Sequence, residues 1–207
     1  MDRRAFVGAL AGLAASPLLR ASSGRTGYPT PMGVPSRAWV HKPQLIRQEC
    51  PAWCWAASIS MIFASHGHDV AQEDVVQRTY GQVVCAPSND PINIARNLAS
   101  AWVDRDGASF SSNLVAAFDA LHGVQNIDNA ILINELANNR PLLYGNSHHA
   151  MVIVSVDYLD TPLGPNVQAV GVMDPWPGSP GFHSLSPSEM MPTPYGEMFF
   201  LAAVYIT

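Results

Sequence analysis

The chain has 207 residues, of which 48% are hydrophobic and only 13% are charged, and its formal net charge is −5. That length suits one domain, or one domain built in two lobes, with enough chain to bury a real core. The acidic balance excludes a nucleic-acid-binding footprint, which would need a basic patch. Beyond the N-terminus no apolar run reaches the length of a membrane span, so no membrane association of the mature chain is expected.

Residues 1–21 are predicted to be an export leader of the twin-arginine type. Arg3 and Arg4 are followed by Phe6, an Ala/Gly/Leu stretch and small residues near Ala21. An ordinary secretory leader with a chance arginine pair is the alternative. The leader predicts the twin-arginine translocation machinery as a partner and a periplasmic or extracellular location. Its removal takes away three arginines and one aspartate, which makes the formal charge −7.

The first half of the remaining chain is predicted to be helical. Residues 22–43 are rich in Pro, Gly and Ser and are expected to form an extended lead-in to a domain over residues 44–207. An apolar helix is predicted from Cys54 to His66–Gly67. A second helix is predicted to begin at Asp69 as its cap, to run to Tyr80 and to end at Gly81. A third is predicted at 91–100, because Asn89-Asp90-Pro91 is typical of a helix start. Two more are predicted at 111–122, capped by Ser112, and at 128–139, capped by Asp128.

After Pro141 the pattern changes to short β-branched runs separated by Pro and Gly turns, which is typical of strands. Strands are predicted at 142–145, 150–158, 168–173 and 199–206, with a weaker one at 182–185. A helical first half and an antiparallel second half predict an α+β protein with a cleft between two lobes.

Cys54 is the candidate nucleophile, because it lies at the start of the predicted apolar helix. The unpaired N–H groups and partial positive charge of a helix N-terminus favour the thiolate, which is the reactive form of cysteine. Six residues upstream, Gln48 offers a side-chain amide for a developing oxyanion. The alternative is that Cys54 is simply a packed core residue.

Three cysteines in an exported protein allow one disulfide and one free thiol. If Cys54 is the free thiol, Cys50 pairs with Cys85 and ties the segment before the nucleophile to a later loop. The alternative is that Cys50 and Cys85 are unpaired and buried.

His149 and Asp174 are the candidate base and its orienting partner, because each lies at one end of a predicted strand. His148 competes for the role of base, but neighbouring strand residues point to opposite faces, so only one of the pair should meet Cys54. Four further histidines are predicted to be surface or satisfied polar residues, namely His41, His66, His68 and His183. A zinc site of Cys50, Cys54 and His149 lacks a second cysteine pair, so no metal and no cofactor are expected.

These residues resemble the papain-like cysteine peptidases, in the compact bacterial branch that includes effector proteases of plant pathogens and leader-processing peptidases. The resemblance rests on Gln48 six residues before Cys54, the Cys-Trp-Ala-Ala-Ser segment at 54–58, His149-Ala150 before a β-branched strand, and Asp174-Pro175-Trp176. It implies a two-lobe fold with a helical N-terminal lobe around the nucleophile helix and an antiparallel C-terminal sheet.

The resemblance also implies a role for each matched residue. Gln48 would be the oxyanion donor, Cys54 the nucleophile, His149 the acid and base, Asp174 the orienter, and Trp176 a shield over the His–Asp hydrogen bond. Two differences from the plant enzymes, papain and the cathepsins mean that substrate specificity cannot be inferred from the resemblance. Cys50 lies four residues before the nucleophile, where the plant enzymes have a cysteine three before it, and only 95 positions separate Cys54 from His149, which is shorter than the roughly 130 to 150 of papain and cathepsins.

The expected activity is peptide-bond hydrolysis on a peptide or protein substrate by a monomeric enzyme. Two alternatives stay open. The first is a catalytically silent papain-like module or effector that binds peptides in the cleft. The second is a cysteine amidase or acyltransferase that acts on cell-wall peptides.

Overall fold

The computed structural model describes residues 35–88 and 90–207. The predicted leader and most of the predicted lead-in therefore lie outside the described residues. Within them the chain forms four helices, namely α1 (Cys54–Ser65), α2 (Gln72–Tyr80), α3 (Pro91–Leu98) and α4 (Asn129–Ala137). Nine strands accompany them, namely β1 (Pro35–Trp39), β2 (Ala101–Val103), β3 (Ser109–Asp119), β4 (Val124–Gln125), β5 (Leu142–Asn146), β6 (Ala150–Thr161), β7 (Gly164–Met173), β8 (Phe182–Ser184) and β9 (Met198–Ile206). The protein is thus an α+β protein, as predicted.

The strands form one antiparallel sheet in the order β2-β3-β9-β5-β6-β7-β8, with β1 added to β6 and β4 added to β3. Helix α1 packs against β5 and β6, whereas α4 packs against β1, β5, β6 and β7. Gly145 and Tyr144 are consecutive in β5 and line different cavities. Because successive strand residues point to opposite faces, these cavities lie on opposite faces of the sheet.

Helix α1 is the buried helix that the sequence predicts. Every side chain over residues 55–63 is buried, and Phe63 near its end packs edge-on against Phe110 of β3. The helix is capped at its C-terminus by His66, next to Gly67 with its φ of 90°, so the predicted end is confirmed. Burial on all sides fixes Cys54, at the other end of the helix, relative to the sheet.

The other helix predictions are confirmed in part. Gly81 ends α2 in the left-handed conformation, Asp90 caps α3, and Asp128 caps α4. The predicted start of α2 at Asp69 is wrong, because the helix begins at Gln72. Asp69 instead accepts the main-chain N–H of Arg105 at its carbonyl and pairs with the Arg105 guanidinium.

The helix predicted at 111–122 is wrong, because this segment is the long strand β3. Ser112 does not cap a helix; its hydroxyl is buried and donates to the Leu98 carbonyl at 2.6 Å. Pairing with β9 over residues 112–119 supplies the hydrogen bonds that a helix would have made. The Ala-Ala-Phe run favours a helix only locally, and pairing with the sheet overrides that propensity.

Strands that the sequence did not predict complete the sheet in the first half of the chain. Strand β1 falls in the part of the predicted lead-in that is described, and it pairs with β6 from Pro35 opposite Leu159 to Trp39 opposite Ser155. Arg37 reinforces this pairing by a two-pronged contact with the Asp157 carboxylate. The first half is therefore mixed rather than purely helical. The strands predicted after residue 141 are all present as β5 to β9.

Candidate active site

Cys54 is the first residue of α1 and is partly exposed. All three cysteines are described, and Cys50 and Cys85 are bonded to each other with their Cα atoms 5.9 Å apart, so the predicted disulfide is confirmed and Cys54 is the free thiol. The N-terminus of α1 has no side-chain cap and no acidic residue in its first turn. Its positive end therefore faces the Cys54 sulfur without a competing carboxylate. The zinc set that includes Cys50 is excluded by the disulfide.

His149 and Asp174 meet because they flank neighbouring strands. His149 directly precedes β6, Asp174 directly follows β7, and Val152 of β6 lies opposite Met173 of β7. The imidazole Nε2 lies 2.7 Å from Asp174 Oδ1, which is the distance of a charge-assisted hydrogen bond. Asp174 is 7% exposed, so this bond is largely removed from water.

The turn between β5 and β6 decides which histidine meets Asp174. The side-chain oxygen of Asn146 accepts the main-chain N–H groups of His148 and His149 at 2.9 and 2.7 Å, and the Asn146 N–H donates to the His149 carbonyl at 2.9 Å. These three bonds fix the backbone of both residues. His148 is exposed at the rim, whereas His149 is half-buried and contacts Asp174.

His149 interacts with Cys54 as well as with Asp174. Burial lowers its pKa, but hydrogen bonds to Cys54 and Asp174, together with the charges of those two groups, outweigh burial, so the pKa of His149 is raised above its ordinary value of 6.5. Because Nε2 is engaged by Asp174, Nδ1 is the nitrogen left for the thiol. An imidazole held between a thiol and a carboxylate can take a proton from the first while the second stabilises its charge.

Gln48 lies beside this site, but its amide is engaged elsewhere. The side chain is buried, and its Nε2 donates to the carbonyls of Cys50 and Pro51 at 3.0 and 2.9 Å. Its Oε1 is buried without a hydrogen-bond partner among the described residues. To act as an oxyanion donor, the amide must release one of these carbonyls, so that role stays a prediction.

Trp176 contacts the Asp174 carboxylate through its main chain. Its N–H donates to Asp174 Oδ1 at 2.8 Å, so this oxygen accepts bonds from both Trp176 and His149. The Trp176 side chain is 47% exposed. The predicted role of the indole as a shield over the His–Asp bond stays a prediction.

Arg47 holds the loop that follows Asp174, and sequence reasoning missed it. Its guanidinium donates to the carbonyls of Asp174, Trp176 and Ser179. Next in the chain, the Gln48 N–H donates to the Pro175 carbonyl at 3.0 Å. The segment that leads to the nucleophile is therefore tied to the segment that carries Asp174. The signal was weak, because an arginine before Gln48 has no distinctive spacing.

A cleft of about 190 Å³ opens beside Cys54 and His149. Its walls come from the loop before α3, the start of α3, the β5–β6 turn and the start of β9, and none of the described lining residues is Lys, Arg, Asp or Glu. A larger cavity of about 470 Å³ lies on the opposite face of the sheet. Size alone would select the larger cavity, but it is lined by neither a cysteine nor a histidine, whereas the cleft is lined by the Cys54 thiol and the His149 imidazole.

The disulfide loop forms one wall of this cleft. The Trp53 indole donates to the Val84 carbonyl at 2.8 Å, and the Trp55 indole donates to the Ala86 carbonyl at 3.2 Å. Cys85 lies between these two acceptors and is bonded to Cys50. Both tryptophans that flank the nucleophile thus help to position the loop, whose next residues, Pro87 and Ser88, reach the cleft.

His183 of β8 also approaches Asp174, and it was predicted to be a surface or satisfied residue. Its Nδ1 is buried, lacks a hydrogen-bond partner among the described residues, and lies 4.0 Å from Asp174 Oδ2. The prediction is therefore wrong for this nitrogen. The sequence signal that could have indicated this position was the weak strand predicted at 182–185. Because that strand pairs with β7, His183 lies near the end of β7, where Asp174 follows.

No model of a known protein family matches the chain, and no curated protein matches it. Across residues 35–88 and 90–207, no group of three or more His, Cys, Asp or Glu side chains is arranged to hold a metal ion. None of the helices described is long and apolar enough to cross a membrane. The function proposed next therefore rests on the residues and their geometry.

Proposed function

We propose that the chain is an exported cysteine peptidase with a papain-like, two-lobe arrangement. The observation that carries the proposal is the position of His149, which donates to Asp174 through Nε2 and interacts with Cys54 at the uncapped N-terminus of α1. The nucleophile comes from a helix, and the base and its partner come from strand ends across a cleft. This division supports one mainly helical lobe and one sheet lobe.

The proposed reaction begins with proton transfer from the Cys54 thiol to His149. The thiolate attacks the substrate carbonyl carbon, and the carbonyl π electrons move to the oxygen. The Cys54 main-chain N–H and the Gln48 amide hold this oxyanion, and each donor contributes on the order of 3 kcal/mol. His149 protonates the departing amine as the C–N bond breaks, which leaves a thioester. His149 then takes a proton from water, and the hydroxide displaces the thiolate and releases the acid.

Asp174 keeps the imidazole in the productive tautomer. With Nε2–H donated to Asp174 Oδ1, the free Nδ1 is directed to Cys54 and can accept its proton. The imidazolium that forms is stabilised by the buried carboxylate. The raised pKa of His149 favours this charged pair.

The cleft favours peptides with uncharged side chains next to the scissile bond. Its described lining includes Pro87, Pro91, Ile94, Phe199 and Phe200, and it offers no charged partner other than the two histidines of the turn. A buried charge without a partner is costly. A lysine or glutamate at the corresponding position of a substrate is therefore expected to lower kcat/KM.

Export is the other part of the proposal. The Cys50–Cys85 disulfide is compatible with an oxidising compartment. The twin-arginine pattern at Arg3-Arg4 supports export directly, although it lies outside the described residues. A fusion of residues 1–34 to a folded reporter tests it, with Arg3→Lys/Arg4→Lys as the matched control.

Peptidase activity is tested with three variants and two kinds of substrate. Cys54→Ala and His149→Ala are each expected to lower turnover of a peptide library by roughly 10³-fold or more, while His148→Ala keeps most activity as the matched control. An electrophilic thiol probe is expected to label only Cys54. Loss of activity in His148→Ala with retention in His149→Ala would overturn the site.

Two other outcomes would redirect the assignment. If the probe labels Cys54 but no peptide is cleaved and cell-wall fragments are released or acylated, the enzyme is an amidase or acyltransferase. If neither the probe nor any substrate reacts, the chain is a silent binding module. A free thiol beside a base that has both the thiol and a carboxylate as partners argues against the silent module.

A further inference from the structure

His183 carries a buried nitrogen whose bonding is incomplete. The residue lies in the middle of β8, its side chain is 32% exposed, and its Nδ1 is buried without a hydrogen-bond partner among the described residues. Buried polar atoms are almost always hydrogen-bonded, so an orphaned one calls for a physical reason. The nearest acidic group is the carboxylate of Asp174.

The two oxygens of the Asp174 carboxylate are used unequally. Oδ1 accepts from His149 Nε2 at 2.7 Å and from the Trp176 N–H at 2.8 Å. Oδ2 accepts no hydrogen bond from any described residue and lies 4.0 Å from His183 Nδ1. This separation is too long for a direct hydrogen bond. Oδ2 and Nδ1 are thus close neighbours that make no hydrogen bond to each other.

We propose that His183 is a positioning residue of the active site, whose Nδ1–H donates to Asp174 Oδ2 and so holds the carboxylate with Oδ1 directed at His149. The proposal rests on the function proposed above. An approach of about 1 Å closes the gap to hydrogen-bond distance. His183 touches neither the substrate nor Cys54 in this scheme; it acts through Asp174. A carboxylate held at both oxygens cannot rotate away when His149 becomes charged.

The backbone around β8 places His183 for this role. His183 lies opposite Val172, two residues before Asp174, and the Asp174 N–H donates to the Gly181 carbonyl at 2.7 Å. At Gly171, a Cβ atom would come within 2.8 Å of the Phe182 ring. The glycine therefore permits β8 to lie close against β7, with His183 beside the carboxylate.

The test compares two substitutions that differ in the donor. His183→Asn places an amide N–H near the position of Nδ1, whereas His183→Leu has similar bulk and no donor. We expect His183→Leu to lower kcat about tenfold with KM unchanged, as for the loss of one hydrogen bond to a charged group. His183→Asn is expected to keep kcat within about twofold of the wild type by the same reasoning. Equal kcat in the two variants overturns the proposal.

A spectroscopic readout separates this proposal from the peptidase assignment. The proton shared by His149 Nε2 and Asp174 Oδ1 should give a downfield NMR resonance that shifts or broadens in His183→Leu and is restored in His183→Asn. His68→Leu is the matched control, because His68 also pairs with a buried aspartate, Asp104, beyond the far end of α1. It should leave the resonance unchanged.

Each combination of results has one meaning. If the wild-type protein cleaves no peptide, the proposed function fails, but the resonance still decides whether His183 holds Asp174. An unchanged resonance in His183→Leu overturns the positioning role even in an active enzyme. If His183→Leu does not fold, His183→Asn is compared with His183→Gln, whose donor lies one bond further out. Retained kcat in His183→Asn alone supports the proposal, and equal kcat in both overturns it.

Discussion

Removal of the Cys50–Cys85 disulfide should destabilise the fold strongly without dismantling the site. The bond joins residues 35 positions apart, and in the chain-entropy model a loop of this size contributes about 4 kcal/mol. The double variant Cys50→Ala/Cys85→Ala removes it without creating a new thiol. The indoles of Trp53 and Trp55 still hold the residues on either side of position 85, so the loop should keep its place in the folded state.

Urea unfolding of the wild type and the double variant measures this loss. With a slope of about 2 kcal/mol per molar urea, a loss of about 4 kcal/mol moves the midpoint down by roughly 2 M. The rate at which a thiol probe labels Cys54 in the folded double variant should stay within about threefold of the wild type, since only the unfolded state has gained freedom. The wild type treated with a reductant is the matched control.

Two results would refute this reasoning. A midpoint shift below about 0.5 M would mean that the bond does not restrict the unfolded chain as the loop length requires. A large fall in the labelling rate of folded protein would mean that the bond, rather than the two indole hydrogen bonds, sets the geometry around Cys54.

Three further predictions concern the groups around His149. Its raised pKa means that protonated His149 stabilises the fold: this contribution is complete below the ordinary value of about 6.5 and is lost as the pH rises through the raised pKa. An NMR titration should therefore find the pKa of His149 above 6.5 in the wild type and lower in Cys54→Ala, and an unchanged pKa in Cys54→Ala would contradict the contact. Asp174→Ala should lower kcat on the order of 10³-fold, and Asp174→Asn should lower it less, because the amide oxygen can still accept from His149 although the carboxylate charge is lost; equal kcat values in the two variants would show that the oxygen does not orient the imidazole. Arg47→Met should lower the free energy of unfolding by about 2 kcal/mol in urea titrations and should also lower kcat. A change in stability without a change in kcat would show that the bonds from Arg47 to the loop after Asp174 do not affect catalysis.

The sequence allowed the central helix and the later strands to be predicted because their signals are local. The run from Trp55 to Phe63 has almost no polar face, and Gly67 marks the end with a positive φ. The strands after residue 141 alternate or are β-branched between turn residues. Such patterns can be recognised without knowing which distant residues the segment will meet.

Strand β3 could not be predicted because its stability comes from distant partners. Its residues 112–119 pair with β9, which lies more than 80 positions later in the chain. A bulge between Leu114 and Ala116 turns Val115 outward, where it is 52% exposed. The bulge breaks the period-two alternation that would have indicated a strand.

In the candidate site too, residues with a local sequence signal were predicted and residues that depend on distant partners were not. Cys54, His149 and Asp174 were predicted because each lies at the end of an element with a clear local pattern, and the structure brings His149 to hydrogen-bond distance of Asp174 and onto the same cleft as Cys54. Arg47 and His183 were missed because their importance depends on which loop and which strand edge they meet. The spacing in the sequence between Arg47 and the loop it binds, or between His183 and the strand it lies beside, follows no recognisable pattern.

The segment from Arg47 to Cys54 connects the nucleophile to Asp174 by a route that does not pass through the imidazole. The Arg47 guanidinium and the Gln48 N–H both bind the loop after Asp174. A displacement of the start of α1 away from the end of β7 would therefore break these bonds as well as the His149 contact with Cys54. The Gln48 side chain makes its own bonds to the Cys50 and Pro51 carbonyls, while its main chain is bonded to Pro175. The main-chain and guanidinium bonds thus tie the start of α1 to the loop after Asp174, and in the proposed mechanism only the Gln48 side chain has to change its partners on this backbone.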